Sequence, residues 1–113
     1  MKILHNPRCS KSRQTLALIQ QAGVEPEVVL YLENPPTADE LDEILEKLGL
    51  EPAGLMREGE EVYRDLGLGG RELSRQEAID LMVAHPKLIQ RPIVIAGERA
   101  VLGRPPENVN ELL

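Results

Sequence analysis

The chain has 113 residues, a net charge of −6 and only two aromatic residues, both tyrosine. Its length allows one domain with a real core, whereas the charge and the lack of aromatic stacking platforms argue against binding to nucleic acid or anionic membranes. One cysteine excludes an internal disulfide, and no apolar run could span a bilayer, which favours a soluble protein of the reducing cytoplasm. We therefore expect a single domain over residues 1–113.

The first quarter of the chain predicts a β-α-β unit. MKIL at residues 1–4 is a short apolar strand, and the polar loop HNPR leads from it into a helix that begins at Ser10 and ends at Gly23. EPEVVLYL at residues 25–32 is rich in β-forming residues and predicts a second strand. Two strands joined by such a helix pair in parallel.

A block of helices is predicted at about residues 37–88. Thr37 and Glu40 form a capping-box pair ahead of one apolar helical stripe, and Ser74 and Glu77 form a second pair ahead of another. We expect only short helical turns between these two helices.

The last quarter of the chain predicts a hairpin and a short helix. PIVIA at residues 92–96 and AVLG at residues 100–103 are strand-like, and GER makes a tight turn between them. PPENVNELL follows, with proline at the start of a helical turn or two.

This element order predicts an α/β fold of the thioredoxin or glutaredoxin type. The sheet would have four strands in mixed orientation, with the helical block inserted between strands 2 and 3. Folds of this type carry a cis-proline just before the third strand, and Pro92 is the proline in that position. We therefore predict a cis peptide bond before Pro92.

Cys9, the only cysteine, lies within HNPRCSKSR, where the first strand leads into the first helix. The unpaired N–H groups and partial positive charge of a helix N-terminus favour the thiolate, which is the nucleophilic form. Residues 1–24 contain basic side chains and no Asp or Glu, which indicates a region for binding something negative. Ser12 occupies the place of the second cysteine in a C-x-x-C pair, so a resolving thiol must come from another molecule.

Simpler interpretations exist for these residues. A lone cysteine is usually buried and inert, although polar residues flank Cys9 on both sides. His5 could be a loop histidine that bonds the backbone or a functional one. One cysteine and two histidines are too few for a zinc site, so we expect no metal.

Four segments taken together resemble the glutaredoxin-coupled arsenate reductases, the ArsC type of the ArsC/Spx-like thioredoxin-fold superfamily. They occur in family order from His5 to the C-terminal segment, and the patterns H-N-P-x-C-x-x-S-R and R-P-I-V are the most specific. The segments are HNPRCSKSRQTL, LMREGEEVYRDLGL, HPKLIQRPIV and LGRPPENV.

The resemblance implies a catalytic Cys9, with His5 helping to lower the pKa of its thiol. It implies arsenate reduction to arsenite through a Cys9 adduct, with glutathione as co-substrate, glutaredoxin as partner and no bound cofactor. Guanidinium groups suit this task because they bind tetrahedral oxyanions in a bidentate manner. The implied substrate-binding residues are Arg57, Arg91, Arg104 and Ser12.

Other functions stay open at this point. An ArsC-family thiol oxidoreductase could act on a different substrate. An Spx-like regulator would bind RNA polymerase, although such regulators usually carry C-x-x-C where this chain has CSKS. A cysteine phosphatase would need C-x₅-R, and Thr15 stands in the place of that arginine. For any of these, the short chain favours a monomer.

Overall fold

The computed structural model describes every residue from Met1 to Leu113. The chain forms two compact units, one made of Met1–Asn34 with Arg91–Leu113, and one made of Pro35–Gln90. None of the helices is both long and apolar enough to cross a membrane. The expectation of one domain over residues 1–113 stays a prediction.

The first unit contains the sheet. Its strands lie in the order β2-β1-β3-β4, with β1 parallel to β2 and antiparallel to β3, and with β3 antiparallel to β4. This confirms the predicted four-stranded mixed sheet and the predicted hairpin. The elements are β1 (Lys2–Leu4), α1 (Ser10–Gln21), β2 (Glu27–Val29), β3 (Ile93–Ala96), β4 (Arg99–Leu102) and a C-terminal 3₁₀ helix (Pro106–Leu112).

Strand β2 is shorter than the predicted strand at residues 25–32. It ends at Val29, and the chain then turns, with the N–H groups of Glu33 and Asn34 donating to the Leu30 carbonyl at 3.0 and 2.9 Å. β2 is an edge strand whose only partner is β1, and β1 itself has three residues. The β-forming residues beyond Val29 therefore have no backbone with which to pair.

Helix α1 packs on the sheet through a face that is polar at its N-terminal end. The buried residues of α1 are Ser12, Thr15 and Ile19. The helix ends at Gln21, and its C-cap residue Ala22 is followed by Gly23 with a φ of 83°. A positive φ suits glycine, which confirms the predicted stop. The hydrophobic core of this unit consists of Ile3, Ile19, Val94 and Val109.

The second unit is helical and lies in sequence between β2 and β3, as predicted. Both predicted capping boxes are present, with Thr37 Oγ1 accepting from Glu40 N–H at 3.2 Å and Ser74 Oγ from Glu77 N–H at 3.1 Å. Helices α2 and α5 pack together in this unit. The elements are α2 (Ala38–Leu48), α3 (Pro52–Leu55), α4 (Glu61–Asp65), α5 (Arg75–Ala84) and a 3₁₀ helix (Pro86–Leu88).

Candidate active site

Cys9 is the N-cap residue of α1 and is partly exposed. Its backbone is extended (φ −95°, ψ 123°), and its carbonyl accepts the N–H of Arg13 at 3.0 Å. No side chain caps the helix, and its first turn contains no acidic residue. The first N–H groups of a helix have no partner within the helix, so this end of α1 offers donors and a partial positive charge to an anion beside the Cys9 sulfur.

His5 and Ser12 form a buried pair next to Cys9 in the sequence. His5 Nδ1 lies 2.6 Å from Ser12 Oγ, and the Asn6 N–H donates to the same oxygen at 3.1 Å. Ser12 is fully buried. Because Ser12 Oγ accepts the Asn6 N–H, its own proton is available for Nδ1 of a neutral His5 ring.

The environment of His5 favours that neutral ring. Burial lowers the pKa of His5 below its usual value of 6.5, and the nearby positive charge of Arg13 lowers this pKa further. At neutral pH the ring therefore adds little positive charge to the site. The structure gives it a hydrogen-bonding role through Ser12, while the implied assistance of His5 to the thiol stays a prediction.

Arg104 is the arginine that the structure brings to Cys9. Its NH1 group lies 4.0 Å from Cys9 Sγ and donates to the Arg91 carbonyl at 3.0 Å. The peptide bond between Arg91 and Pro92 is cis, which confirms the prediction made for Pro92. A second cis bond precedes Pro105, next to Arg104, and was not predicted.

The other two candidate arginines are placed differently. Arg91 lies in the same unit as Cys9 and contributes its carbonyl to Arg104, while its own Nε is buried. Arg57 belongs to the helical unit, where its side chain forms an ion pair with Glu60. The backbone N–H of Arg57 donates to the Leu88 carbonyl at 2.7 Å. Their roles as substrate ligands, and that of Ser12, stay predictions.

The structure also brings residues to this region that sequence reasoning missed. Gly103, just before Arg104, is packed so closely that a Cβ atom there would collide with Thr15 Oγ1 and lie 2.7 Å from Pro92 Cγ. The side chain of Asn108 donates to backbone carbonyls on both sides of Gly103. Gly103 and Asn108 both occur in the segment LGRPPENV, but the sequence contained no signal for their contacts.

The family model described as "ArsC family" matches residues 4–112, from the end of β1 to the C-terminal 3₁₀ helix. The chain belongs to the ArsC family. This confirms the resemblance based on the four sequence segments. No group of three or more His, Cys, Asp or Glu side chains in the structure could hold a metal ion.

This chain matches several similar proteins over nearly their whole length. Arsenate reductase of Neisseria meningitidis serogroup A is 46% identical over 100% of this chain and 97% of its own. Uncharacterized protein YfgD of Escherichia coli is 53% identical over 100% of this chain and 96% of its own. The structure of arsenate reductase from Vibrio cholerae has a TM-score of 0.95 at 49% identity, with 99% of this chain and 96% of that chain covered. The predicted thioredoxin-like α/β fold is thereby confirmed.

Proposed function

We propose that this protein is an arsenate reductase that converts arsenate to arsenite with glutathione and glutaredoxin as the source of electrons. The observation that carries the proposal is the position of the Cys9 sulfur, which lies at the uncapped start of α1 and 4.0 Å from the Arg104 guanidinium. A nucleophile beside two kinds of anion-binding group suits a tetrahedral oxyanion. The 46% identity to a protein called arsenate reductase supports arsenate as that oxyanion.

In the first step of the proposed reaction, the Cys9 thiolate attacks As(V) of a bound monoprotonated arsenate. A bond forms between sulfur and arsenic, and the bond between arsenic and the arsenate hydroxyl breaks. That hydroxyl takes up one further proton, the one given up by the Cys9 thiol, and leaves as water. Arg104 and the N–H groups at the start of α1 hold the remaining oxygens and stabilise their negative charge. Further arginine ligands from Arg57 and Arg91 are part of this proposal.

In the second step, the sulfur of glutathione attacks the Cys9 sulfur. A disulfide forms between them, the sulfur–arsenic bond breaks, and its electron pair stays on arsenic, which leaves as arsenite. The proton of the glutathione thiol passes to the arsenite. Glutaredoxin then removes the glutathionyl group and returns Cys9 to its thiol form. An outside thiol is needed because Cys9 is the only cysteine, and one sulfur cannot supply two electrons and be regenerated alone.

The test is a coupled assay that follows NADPH oxidation in the presence of arsenate, glutathione, glutathione reductase and glutaredoxin. We expect turnover by the parent protein and none by Cys9→Ser. Arg104→Ala should raise the KM for arsenate, whereas Arg75→Ala should leave it unchanged, because the Arg75 guanidinium is already bonded to the Asp42 carboxylate at 2.8 Å. Arsenate turnover no faster than that of Cys9→Ser would reject the proposed activity.

The electron donor is tested separately from the substrate. With arsenate and glutathione but no glutaredoxin, Cys9 should accumulate one glutathionyl group, visible as a mass increase on the peptide that contains Cys9. Turnover that persists without glutathione, with thioredoxin and its reductase instead, would contradict the proposed donor and leave arsenate reduction itself in place.

A further inference from the structure

We propose that Asn108 is a positioning residue that holds the backbone on both sides of Gly103 and thereby keeps the Arg104 guanidinium beside Cys9. This inference rests on the proposed function, in which Arg104 binds the oxyanion. It goes further by assigning the placement of that arginine to a side chain that does not itself touch the sulfur or Arg104's guanidinium.

Asn108 bridges two carbonyls that flank Gly103. Its Nδ2 group donates to the carbonyl of Leu102 at 3.1 Å and to the carbonyl of Arg104 at 3.1 Å. A primary amide has two N–H donors, so one asparagine can make both bonds at once. Asn108 therefore fixes the direction in which the chain leaves β4 and enters residue 104.

The bridge is anchored to the core of its unit. Asn108 lies in the C-terminal 3₁₀ helix, and its backbone N–H donates to the Pro105 carbonyl at 3.0 Å. The next residue, Val109, is fully buried in the core cluster with Ile3 and Ile19. Because Val109 fixes the helix, the amide of Asn108 has a fixed position from which to hold the chain.

Contacts with α1 and Pro92 restrain the same stretch of chain further. The N–H of Gly103 donates to the Pro92 carbonyl at 2.9 Å, and a Cβ at this position would lie 2.9 Å from Thr15 Cγ2 and 2.7 Å from Pro92 Cγ. Thr15 belongs to α1, whose N-cap residue is Cys9. Gly103 is thus packed against the helix that carries the nucleophile, and Asn108 holds the residues on either side of it.

The restraint of the backbone around Gly103 affects the side chain of the next residue, Arg104. Its side chain is exposed and long, so ordering it costs side-chain entropy. Both of its side-chain contacts, to the Arg91 carbonyl and to Cys9 Sγ, use NH1. Restraining the backbone of residue 104 from two directions reduces the freedom that must be lost when the remaining guanidinium N–H groups bind an anion.

The test compares the rates at which Cys9 reacts with iodoacetate and with iodoacetamide. Both reagents consume the same thiolate, so the ratio of the two rate constants cancels the thiolate fraction and reports the positive charge that attracts the anionic reagent. We expect Arg104→Ala to lower the ratio of the iodoacetate rate constant to the iodoacetamide rate constant. Asn108→Ala should lower this ratio by about threefold, because it removes hydrogen bonds that position the Arg104 charge.

The matched control is Asn110→Ala, because Asn110 is an exposed asparagine of the same 3₁₀ helix. Its ratio should equal that of the parent protein. Asn108→Leu keeps a similar side-chain volume without the amide, and should lower the ratio as Asn108→Ala does if the latter fails to fold. A parent-like ratio in a folded Asn108 variant, or in Arg104→Ala, would overturn the inference.

The arsenate assay supplies a second measurement. Asn108→Ala should raise the KM for arsenate by about threefold with little change in kcat, since it removes order from a binding group and leaves the nucleophile intact. An equal loss in kcat at unchanged KM would contradict positioning of a binding group. If the parent protein does not reduce arsenate, the proposed function fails, while the alkylation ratio still decides the role of Asn108.

Discussion

Helix α1 begins in a different way from α2 and α5. Thr37 and Ser74 cap α2 and α5 with a side-chain oxygen, and Glu40 and Glu77 complete the two capping boxes. Helix α1 begins at Ser10 after its N-cap residue Cys9, with no side-chain cap and no acid in its first turn. Capping boxes satisfy N–H groups within the helix, so the start of α1 has donors and a positive end that remain available to the oxyanion of the proposed function.

Tertiary contacts hold α1 where a local cap is missing. Ser12, in its first turn, is fully buried and bonds His5, the residue that directly follows β1. Thr15, one turn later, packs against Gly103. If α1 binds an oxyanion as proposed, a helix start that is open to a ligand is supported from elsewhere in the fold, whereas the starts of α2 and α5 are stabilised by their own side chains.

The largest effect is expected from filling the space at Gly103. Gly103→Ala places a methyl group against Thr15 and Pro92, and overpacking of this kind costs about 1–3 kcal/mol. We expect that loss in the free energy of unfolding in urea, together with a higher KM for arsenate. Gly59→Ala is the control, because a Cβ at Gly59 meets nothing within 4 Å. A Gly103→Ala protein as stable as the parent would show that α1 does not depend on this contact.

Changes at the helix starts themselves should have smaller effects of opposite sign. Thr37→Ala removes the cap of α2 and should cost about 1 kcal/mol, whereas Cys9→Ser gives α1 a capping hydroxyl and should add roughly 0.5 kcal/mol. Both values are measured by urea unfolding. Thr37→Ala should retain arsenate turnover, and Cys9→Ser should have none.

A loss of stability in Cys9→Ser would break the comparison, because it would mean that the start of α1 gains nothing from a cap. The expected gain would instead show that Cys9, the proposed nucleophile, occupies a position where serine is the more stable choice. Activity and stability would then compete at residue 9.

Local sequence predicted the capping boxes because the residues of each box lie within four consecutive positions, as in the box from Thr37 to Glu40. Element order predicted the cis bond before Pro92. The contact between Thr15 and Gly103 joins residues that are 88 positions apart in the sequence. A local sequence pattern cannot predict a contact between such distant positions. The end of β2 at Val29 depends likewise on the length of its partner strand. Arg57 was a candidate only through the family resemblance, since its own segment carries no signal.

The smallest effect concerns pH and the buried ring of His5. Its pKa is lowered in the folded protein, by burial first and by Arg13 second, from the ordinary value of 6.5. Below that ordinary value the unfolded chain binds more protons than the folded one, so the folded state loses stability as the pH falls. Stability from this source should be complete above about pH 7 and should decrease from about pH 6.5 toward the lowered pKa of the folded state.

Replacing the ring by an amide separates this titration from the hydrogen bonds. His5→Asn keeps a polar group for Ser12 but cannot titrate, so its free energy of unfolding should decrease less than that of the parent between about pH 7.5 and about pH 5.5. His85→Asn replaces the other histidine of the chain and should retain the parent's pH dependence. If His5→Asn and the parent lose stability equally over this interval, the buried pair does not set the pH response, and the support of α1 through Ser12 does not depend on a neutral ring.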